Sequence, residues 1–366
     1  MDFALTDDQL SLQQLAREIL TEQVTNAHLQ SLEAASQSVF DRALWKQLAS
    51  AGLTGIAVSE TYGGAGLGFL ELAIVFEAVG RSVAPVPAVA TLATAYVLQR
   101  DASESLAGAL AGALAGVATG DVVLTTAFGE PGDTVARRDG NAWILSGAKG
   151  FVPYGAEADF VVVPAHSDDG VVVALVGKGA AGLTVTELYT TNREPQAMLE
   201  LADVRVGPGD VRLDADELVA DLVRHHTSAL AMVVAGVCEA ALEMTAKHTA
   251  TREQFGKPIA AFQAVGQRAA DAYIDTELIR LTALQAAWRL SEGWDADEET
   301  AVAKFWAGEG GMRAMHACLH LHGGLGVDVE YPLHRYFLWC KQIEHELGTP
   351  TRQLIELGAH LAATPV

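Results

Sequence analysis

Apolar positions along this 366-residue chain change their period twice. From Thr6 to about Thr119 they recur every three or four residues, the spacing of one helix face. Thr6 stands as an N-cap with Gln9 three residues on, a capping-box arrangement. Leu10, Leu12, Leu15, Ile19 and Leu20 give the first helix its apolar face. Residues 40–52, 69–80 and 89–98 continue in the same mode, with Gly80 as the C-cap of its helix. From Val122 the pattern becomes short β-branched or aromatic runs, at 122–127, 142–145, 160–163 and 171–176. Asp139-Gly140 and Asp169-Gly170 punctuate them, dipeptides of the kind hairpins use. Runs at 183–186 and 198–201 extend this small all-β unit to about Val206. After a loop at Pro208-Gly209, helical periodicity resumes over 218–250, 262–292, 297–321 and 349–362.

The order helix, then strand, then helix predicts an α+β chain in three parts. These are an N-terminal all-α domain (1–120), a middle β-domain (121–210) and a C-terminal helical bundle (211–366). It is not the alternating βα order of a dinucleotide-binding sheet. That context removes the most tempting motif, Gly63-Gly64-Ala65-Gly66-Leu67-Gly68, whose spacing is GxGxG and which has no βαβ unit around it. Residues 106–118 read LAGALAGALAGVA; 13 residues are too few to cross a bilayer. The small residues predict close packing against a neighbouring segment instead.

Composition narrows the function classes. Half the residues are apolar and 19% are charged, the balance of a globular protein. A formal charge of -22 argues against nucleic acid, and it requires any phosphorylated ligand to be held by locally placed cations. Cys238, Cys318 and Cys340 are far apart and show no CxxC spacing, so neither a disulfide framework nor a zinc site is suggested. With no signal-like start, the chain reads as cytoplasmic and without a membrane role. His316, His320 and His322 lie close in sequence, but no carboxylate completes a metal set, and capping or cofactor contact is the expected use. No GxSxG, HExxH or P-loop is present.

The run Arg252-Glu253-Gln254-Phe255-Gly256-Lys257-Pro258-Ile259, closed by Phe262-Gln263, puts a cation, an aromatic ring and a helix break together. His322-Gly323-Gly324-Leu325-Gly326 adds a second glycine turn, and Glu346-Leu347-Gly348-Thr349 a third. With these motifs, and with Glu60-Thr61-Tyr62-Gly63-Gly64 near the amino terminus, the whole chain resembles an acyl-CoA dehydrogenase. The resemblance implies FAD bound between the β-domain, a four-helix carboxy-terminal domain and a neighbouring subunit. It also implies removal of two hydrogens across Cα and Cβ of an acyl-CoA thioester, with a carboxylate taking the α-proton while hydride leaves for the flavin.

Carried over residue by residue, Arg252 resembles the arginine that reaches FAD phosphates in a partner subunit, and Phe255 the aromatic that packs on the cofactor. Gly323 and Gly324 resemble the adenine-side turn, where the usual glutamine three positions earlier is His320. Thr349 falls at the threonine after the catalytic glutamate, and Phe151 at the aromatic that covers the flavin. The departures are in the chemistry. Gly129-Glu130-Pro131-Gly132-Asp133 is a shortened version of the family's TEPxxGSD loop, without its serine and threonine. Pro153 stands where a hydroxyl faces flavin N5 and has neither hydroxyl nor N–H. The base position is Leu347, with Glu346 one residue away. The alternative base position on the first long helix of the last domain is His226, and the substrate-contacting arginine beside it is Thr227.

These departures imply a subunit that supports FAD-dependent α,β-dehydrogenation without a base of its own, paired with a catalytic sister subunit in an α2β2 assembly on sterol-like acyl-CoA thioesters. Two alternatives remain open: a self-sufficient homo-oligomer using Glu346 or His226, and a non-enzymatic scaffold. Electron-transfer flavoprotein or a similar acceptor is the expected redox partner of either enzyme.

Overall fold

The computed structural model describes residues 3–101, 106, 109–128 and 134–363. The Gly129–Asp133 stretch and most of 102–108 therefore lie outside the described residues. Helices α1 (Asp7–Gln23), α2 (Asn26–Ala35), α3 (Arg42–Ser50) and α4 (Phe69–Ser82) come first. A π-helical turn (Val89–Ala93) leads into α5 (Thr94–Leu98), and α6 (Leu110–Ala118) closes the helical opening. The Thr6–Gln9 capping box forms as expected, but the buried face of α1 is Leu12, Ala16 and Leu20, while Leu10 and Leu15 are exposed.

Strands β1 (Leu124–Thr126), β2 (Val135–Asp139), β3 (Ala142–Pro153), β4 (Phe160–Ser167), β5 (Gly170–Gly177), β6 (Leu183–Leu188), β7 (Gln196–Val206) and β8 (Val211–Arg212) follow. Then come α7 (Asp216–Thr251), the short strands β9 (Glu253–Gln254) and β10 (Lys257–Pro258), α8 (Gln263–Ser291), α9 (Asp297–His322), α10 (Leu333–His345) and α11 (Pro350–Ala363). Contacts gather the chain into two compact units.

One unit, 31–72 with 85–226, is built on the eight-stranded sheet, in the order β6-β7-β3-β2-β4-β5-β8, with β1 added on β4. Most pairings are antiparallel; β1 runs parallel to β4, with Leu124 opposite Phe160. Valine-rich β4 and β5 are buried along most of their length, which is why they read as continuous apolar runs and not as alternating ones. Trp143, Leu145, Val161, Val163, Val172, Leu199 and Val204 form the centre of this core. The register of β3 on β7 slips between Lys149 and Val152, and that irregularity carries Phe151. Of the two glycines in α6, Gly116 serves packing, since a Cβ there would lie 2.3 Å from Val122 Cγ2, whereas Gly112 faces open space.

The other unit, 1–30 with 73–84 and 227–366, is helical. α7 has an 18-residue window apolar enough to cross a membrane, yet 72% of that window is buried within the protein, as in a core helix. Gly80 does not cap α4, which continues to Ser82. Its role is close approach: a Cβ at Gly80 would stand 2.0 Å from the Val233 carbonyl oxygen, and one at Gly236 would stand 2.0 Å from that of Glu77. Arg17 bridges Glu77 and Glu239, each at 3.0 Å, alongside this crossing. Burial raises the Glu77 carboxyl above the ordinary range in spite of Arg17.

Because the clash at Gly80 is with backbone, no side-chain rotation relieves it. Gly80→Ala is expected to cost about 3 kcal/mol in urea unfolding, and Gly236→Ala a similar amount. A substitution at Gly112, where a Cβ meets nothing within 4 Å, should leave stability nearly unchanged.

Candidate functional site

The helical unit presents Arg252 and Phe255 on a two-residue hairpin. α7 stops at Thr251, the Arg252 amide still donates to His248 O at 2.8 Å, and the Ile259 amide returns to Arg252 O at 2.8 Å. Lys257 then pairs with Gln254, and Phe255 and Gly256 form the turn with φ of +55° and +78°. Two left-handed residues make the turn that matches strand twist, but the form favours glycine or asparagine at its first position. A phenylalanine there costs about 1–2 kcal/mol. Its ring is 91% exposed, with only an edge contact to Phe262. Among the described residues the Phe262 edge contact is the ring's one aromatic partner set against that strain.

His322, singled out in the sequence beside the glycine turn, is joined by a second histidine that the sequence did not signal, His248. His322 donates from Nδ1 to Cys318 O at 2.9 Å and accepts at Nε2 from the Tyr331 hydroxyl at 3.2 Å. His248, one turn before Arg252, stacks on it with ring centroids 4.4 Å apart. Burial and then Arg252 pull the His248 pKa down, so the stack consists of neutral rings. The next residues are the glycine turn. Gly323 has φ +62° and ψ -138°, a conformation only glycine adopts readily. Gly324 has ordinary φ and open space where a Cβ would be, so nothing inside the chain requires it to be glycine.

The turn after α10 is fixed from below by Lys304. This lysine is fully buried, and its Nζ donates to the carbonyls of Ile343, Glu344 and Gly348 at 2.8, 3.3 and 3.0 Å. Three acceptors use all three ammonium protons, so the charged form is the one that fits. Burial lowers its pKa to about 8, opposed chiefly by Glu346. Leu347 has φ +50°, and its carbonyl accepts from Gln353 Nε2 at 3.0 Å. Glu346 is turned to the other side: its carboxylate accepts from Gln342 Nε2 at 3.0 Å, and burial raises its pKa against the pull of Gln342 and Lys304. Thr349 Oγ1 accepts from the Arg352 amide at 3.4 Å, as a cap for α11.

In the sheet-containing unit, His226 is buried. Its Nδ1–H donates to Leu222 O at 2.8 Å, which leaves Nε2 to accept from the Thr94 hydroxyl at 3.1 Å. Thr126 and Thr94 share a further hydroxyl contact at 2.8 Å, and Phe128 packs edge-on against the imidazole. Both ring nitrogens are occupied, and burial drives the pKa down to about 4. Neighbouring His225 is likewise held near 4, mainly by burial, between Phe69 and Tyr96. Thr227, which belongs to the helical unit, has its Oγ1 buried with no hydrogen-bond partner among the described residues. Phe151 is 66% exposed at φ +52°, and the Pro153 carbonyl accepts from Thr125 Oγ1 at 2.6 Å. Among the described residues no group of three metal-ligating side chains occurs.

Two consequences are measurable. A histidine with folded pKa near 4 and unfolded pKa near 6.5 contributes stability that is present above 6.5 and is lost as pH falls toward 4, at about 1.4 kcal/mol per pH unit. His226→Gln should therefore flatten the pH dependence of unfolding free energy by about that slope between pH 4.5 and 6; an unchanged slope would contradict a buried neutral ring. Lys304→Met would remove the ammonium donor from three carbonyls, of which that of Ile343 keeps the Glu346 amide at 3.2 Å, and should cost about 3 kcal/mol in denaturant unfolding. Faster amide hydrogen exchange at 346–349 should accompany it.

Models of the acyl-CoA dehydrogenase N-terminal domain and C-terminal domain match residues 6–116 and 221–362. The chain is 40% identical to acyl-CoA dehydrogenase FadE27 of Mycobacterium tuberculosis, over the full length of both. Among solved structures it is similar to a chain of the ChsE4-ChsE5 complex of the same organism, with TM-score 0.95, 40% identity and complete coverage of both chains. It is also similar to a variant of the Tcur3481-Tcur3483 steroid ACAD, with TM-score 0.91, 39% identity and 98% of each chain covered.

Proposed function

The chain belongs to the acyl-CoA dehydrogenase family of oxidoreductases, and on that footing we propose that it is the non-catalytic, cofactor-completing subunit of a heteromeric member. One observation carries the reading: Arg252 and Phe255 are exposed, Phe255 in a left-handed backbone conformation, while Leu347 is apolar and His226 is already hydrogen-bonded within the chain. Arg252 and Phe255 have no internal use that accounts for their exposure. Leu347 has no group to accept a proton, His226 has no free ring nitrogen, and Thr227 in place of an arginine leaves no cation for a thioester.

FAD, when bound, supplies the hydride acceptor of the family's dehydrogenation. Toward it Arg252 would offer a planar cation that suits a diphosphate, Phe255 a ring face, and Gly323 and Gly324 a backbone without side chains. Both similar structures are described as pairs of different chains, which supports assembly with a sister subunit that owns the base. The second pair is described as a steroid ACAD, which supports a bulky acyl-CoA thioester as the substrate of the assembly. Glu346 is the carboxylate adjacent to Leu347 in the chain, and its hydrogen bond to Gln342 and proximity to Lys304 give it a structural occupation.

The test is expression of the chain alone and together with an acyl-CoA dehydrogenase-like partner encoded beside it. The complex should carry FAD and reduce dye with steroid-type acyl-CoA, and the isolated chain should do neither. Arg252→Ala is expected to weaken FAD retention about tenfold, the effect of one charge-assisted hydrogen bond, with assembly intact by size-exclusion chromatography. Turnover by the isolated chain that is abolished in Glu346→Gln would replace this reading with a self-sufficient enzyme.

A further inference from the structure

Arg268 on α8 and His320 on the last turn of α9 are both exposed, and Arg268 Nη1 lies 2.7 Å from His320 Nδ1. A guanidinium carries five donors and no acceptor. His320 Nδ1 must therefore present its lone pair to Arg268, and the ring proton of the neutral imidazole must be on Nε2, at the opposite side of the ring. No other hydrogen bond engages the His320 ring among the described residues, so this Nε2–H is an unused donor. It stands three residues before Gly323, at the position where the family carries a glutamine.

We infer that Arg268 is a positioning residue: it fixes the His320 tautomer so that Nε2–H replaces the glutamine amide as a donor to the adenosine-diphosphate end of the cofactor. The inference rests on the reading of this edge as cofactor-facing. Two properties of Arg268 support it. Asp271 stands one turn further along α8, yet no carboxylate pairs with Arg268 among the described residues. On a chain of net charge -22 an arginine that bonds a neutral ring in place of an acid is unusual, and the arrangement leaves its positive charge uncompensated beside the donor. A lysine would supply charge but not the rigid fork that orients the ring.

The experiment uses Arg268→Met, His320→Gln and the double variant. In the isolated chain labelled with 15N-histidine, long-range proton–nitrogen spectra should show His320, assigned by its loss in His320→Gln, as the pure Nε2–H tautomer. Arg268→Met should convert it to a mixture. A mixed tautomer in the unaltered protein, or no change in Arg268→Met, would overturn the proposal. In the complex with the partner subunit, Arg268→Met should weaken FAD binding about tenfold, followed by flavin fluorescence. In the His320→Gln background, where the amide needs no tautomer control, the same substitution should change it by less than about twofold. An equal loss in both backgrounds would mean that Arg268 acts as a charge and not through His320, and would also overturn the proposal. FAD binding that ignores Arg252→Ala would instead remove the cofactor-facing reading, and the tautomer spectra decide the role of Arg268 even then.

Discussion

The Lys304 ammonium is the interaction that fixes the turn between α10 and α11. Buried completely, it gathers the carbonyls of Ile343, Glu344 and Gly348 and so closes the end of α10 onto the turn that precedes α11. The Glu346 amide reaches the Ile343 carbonyl at 3.2 Å, and the ammonium supplies the Glu344 carbonyl of the helix terminus and the Gly348 carbonyl of the turn. With Gln353 holding the Leu347 carbonyl, the backbone of the turn is specified without help from the side chain at 347. Leucine can stand there in a left-handed conformation because its surroundings over-determine the shape. The form of the turn is in this way independent of the side chain carried at position 347.

The same separation of form from chemistry runs through the other positions. His226 satisfies Nδ1 on Leu222 O and Nε2 on Thr94, and burial keeps it neutral; its environment is that of a core histidine. The Arg252–Phe255 hairpin is the reverse case, spending backbone strain to display an aromatic in solvent. The inward-facing His226 is thus satisfied, whereas the outward-facing Phe255 ring has an edge contact with Phe262 as its ring partner among the described residues. A protein that had merely decayed would be expected to relax the exposed strain first, because Phe255→Asn or Phe255→Gly there would stabilise the turn at no cost to packing.

Much of the fold was legible because it rests on local signals. The capping box at Thr6, the change of period near Val122 and its return after Pro208 all correspond to real boundaries. What stayed hidden depends on partners distant in sequence. Gly80 reads as a helix stop, and only the approach of the Val233 carbonyl shows that it lies inside α4 for close crossing. β2, with sequence VARRD, is too charged to read as a strand and gains its place by pairing with β3. Lys304 looks like any surface lysine until the carbonyls 39 to 44 residues later are seen around it. Arg252 and Phe255 were legible as a motif, but the strain that argues for their use is a property of backbone angles.

Net charge gives the last step. At -22 the chain repels phosphates as a whole, so affinity for a dinucleotide has to come from cations that local acids do not neutralise. Arg17, Arg81, Arg212 and Arg313 are each committed to carboxylates within the chain. Arg252, Lys257 and Arg268 are not: Lys257 lies over the Phe262 ring, Arg268 on His320, and Arg252 on nothing charged among the described residues. Leaving three cations unpaired on so acidic a surface forgoes stabilising ion pairs that neighbouring Glu253 and Asp271 could have made. That omission is intelligible if the counter-ion arrives from outside, and it ties the hairpin at 252–258 and the α8–α9 edge to the same anionic ligand.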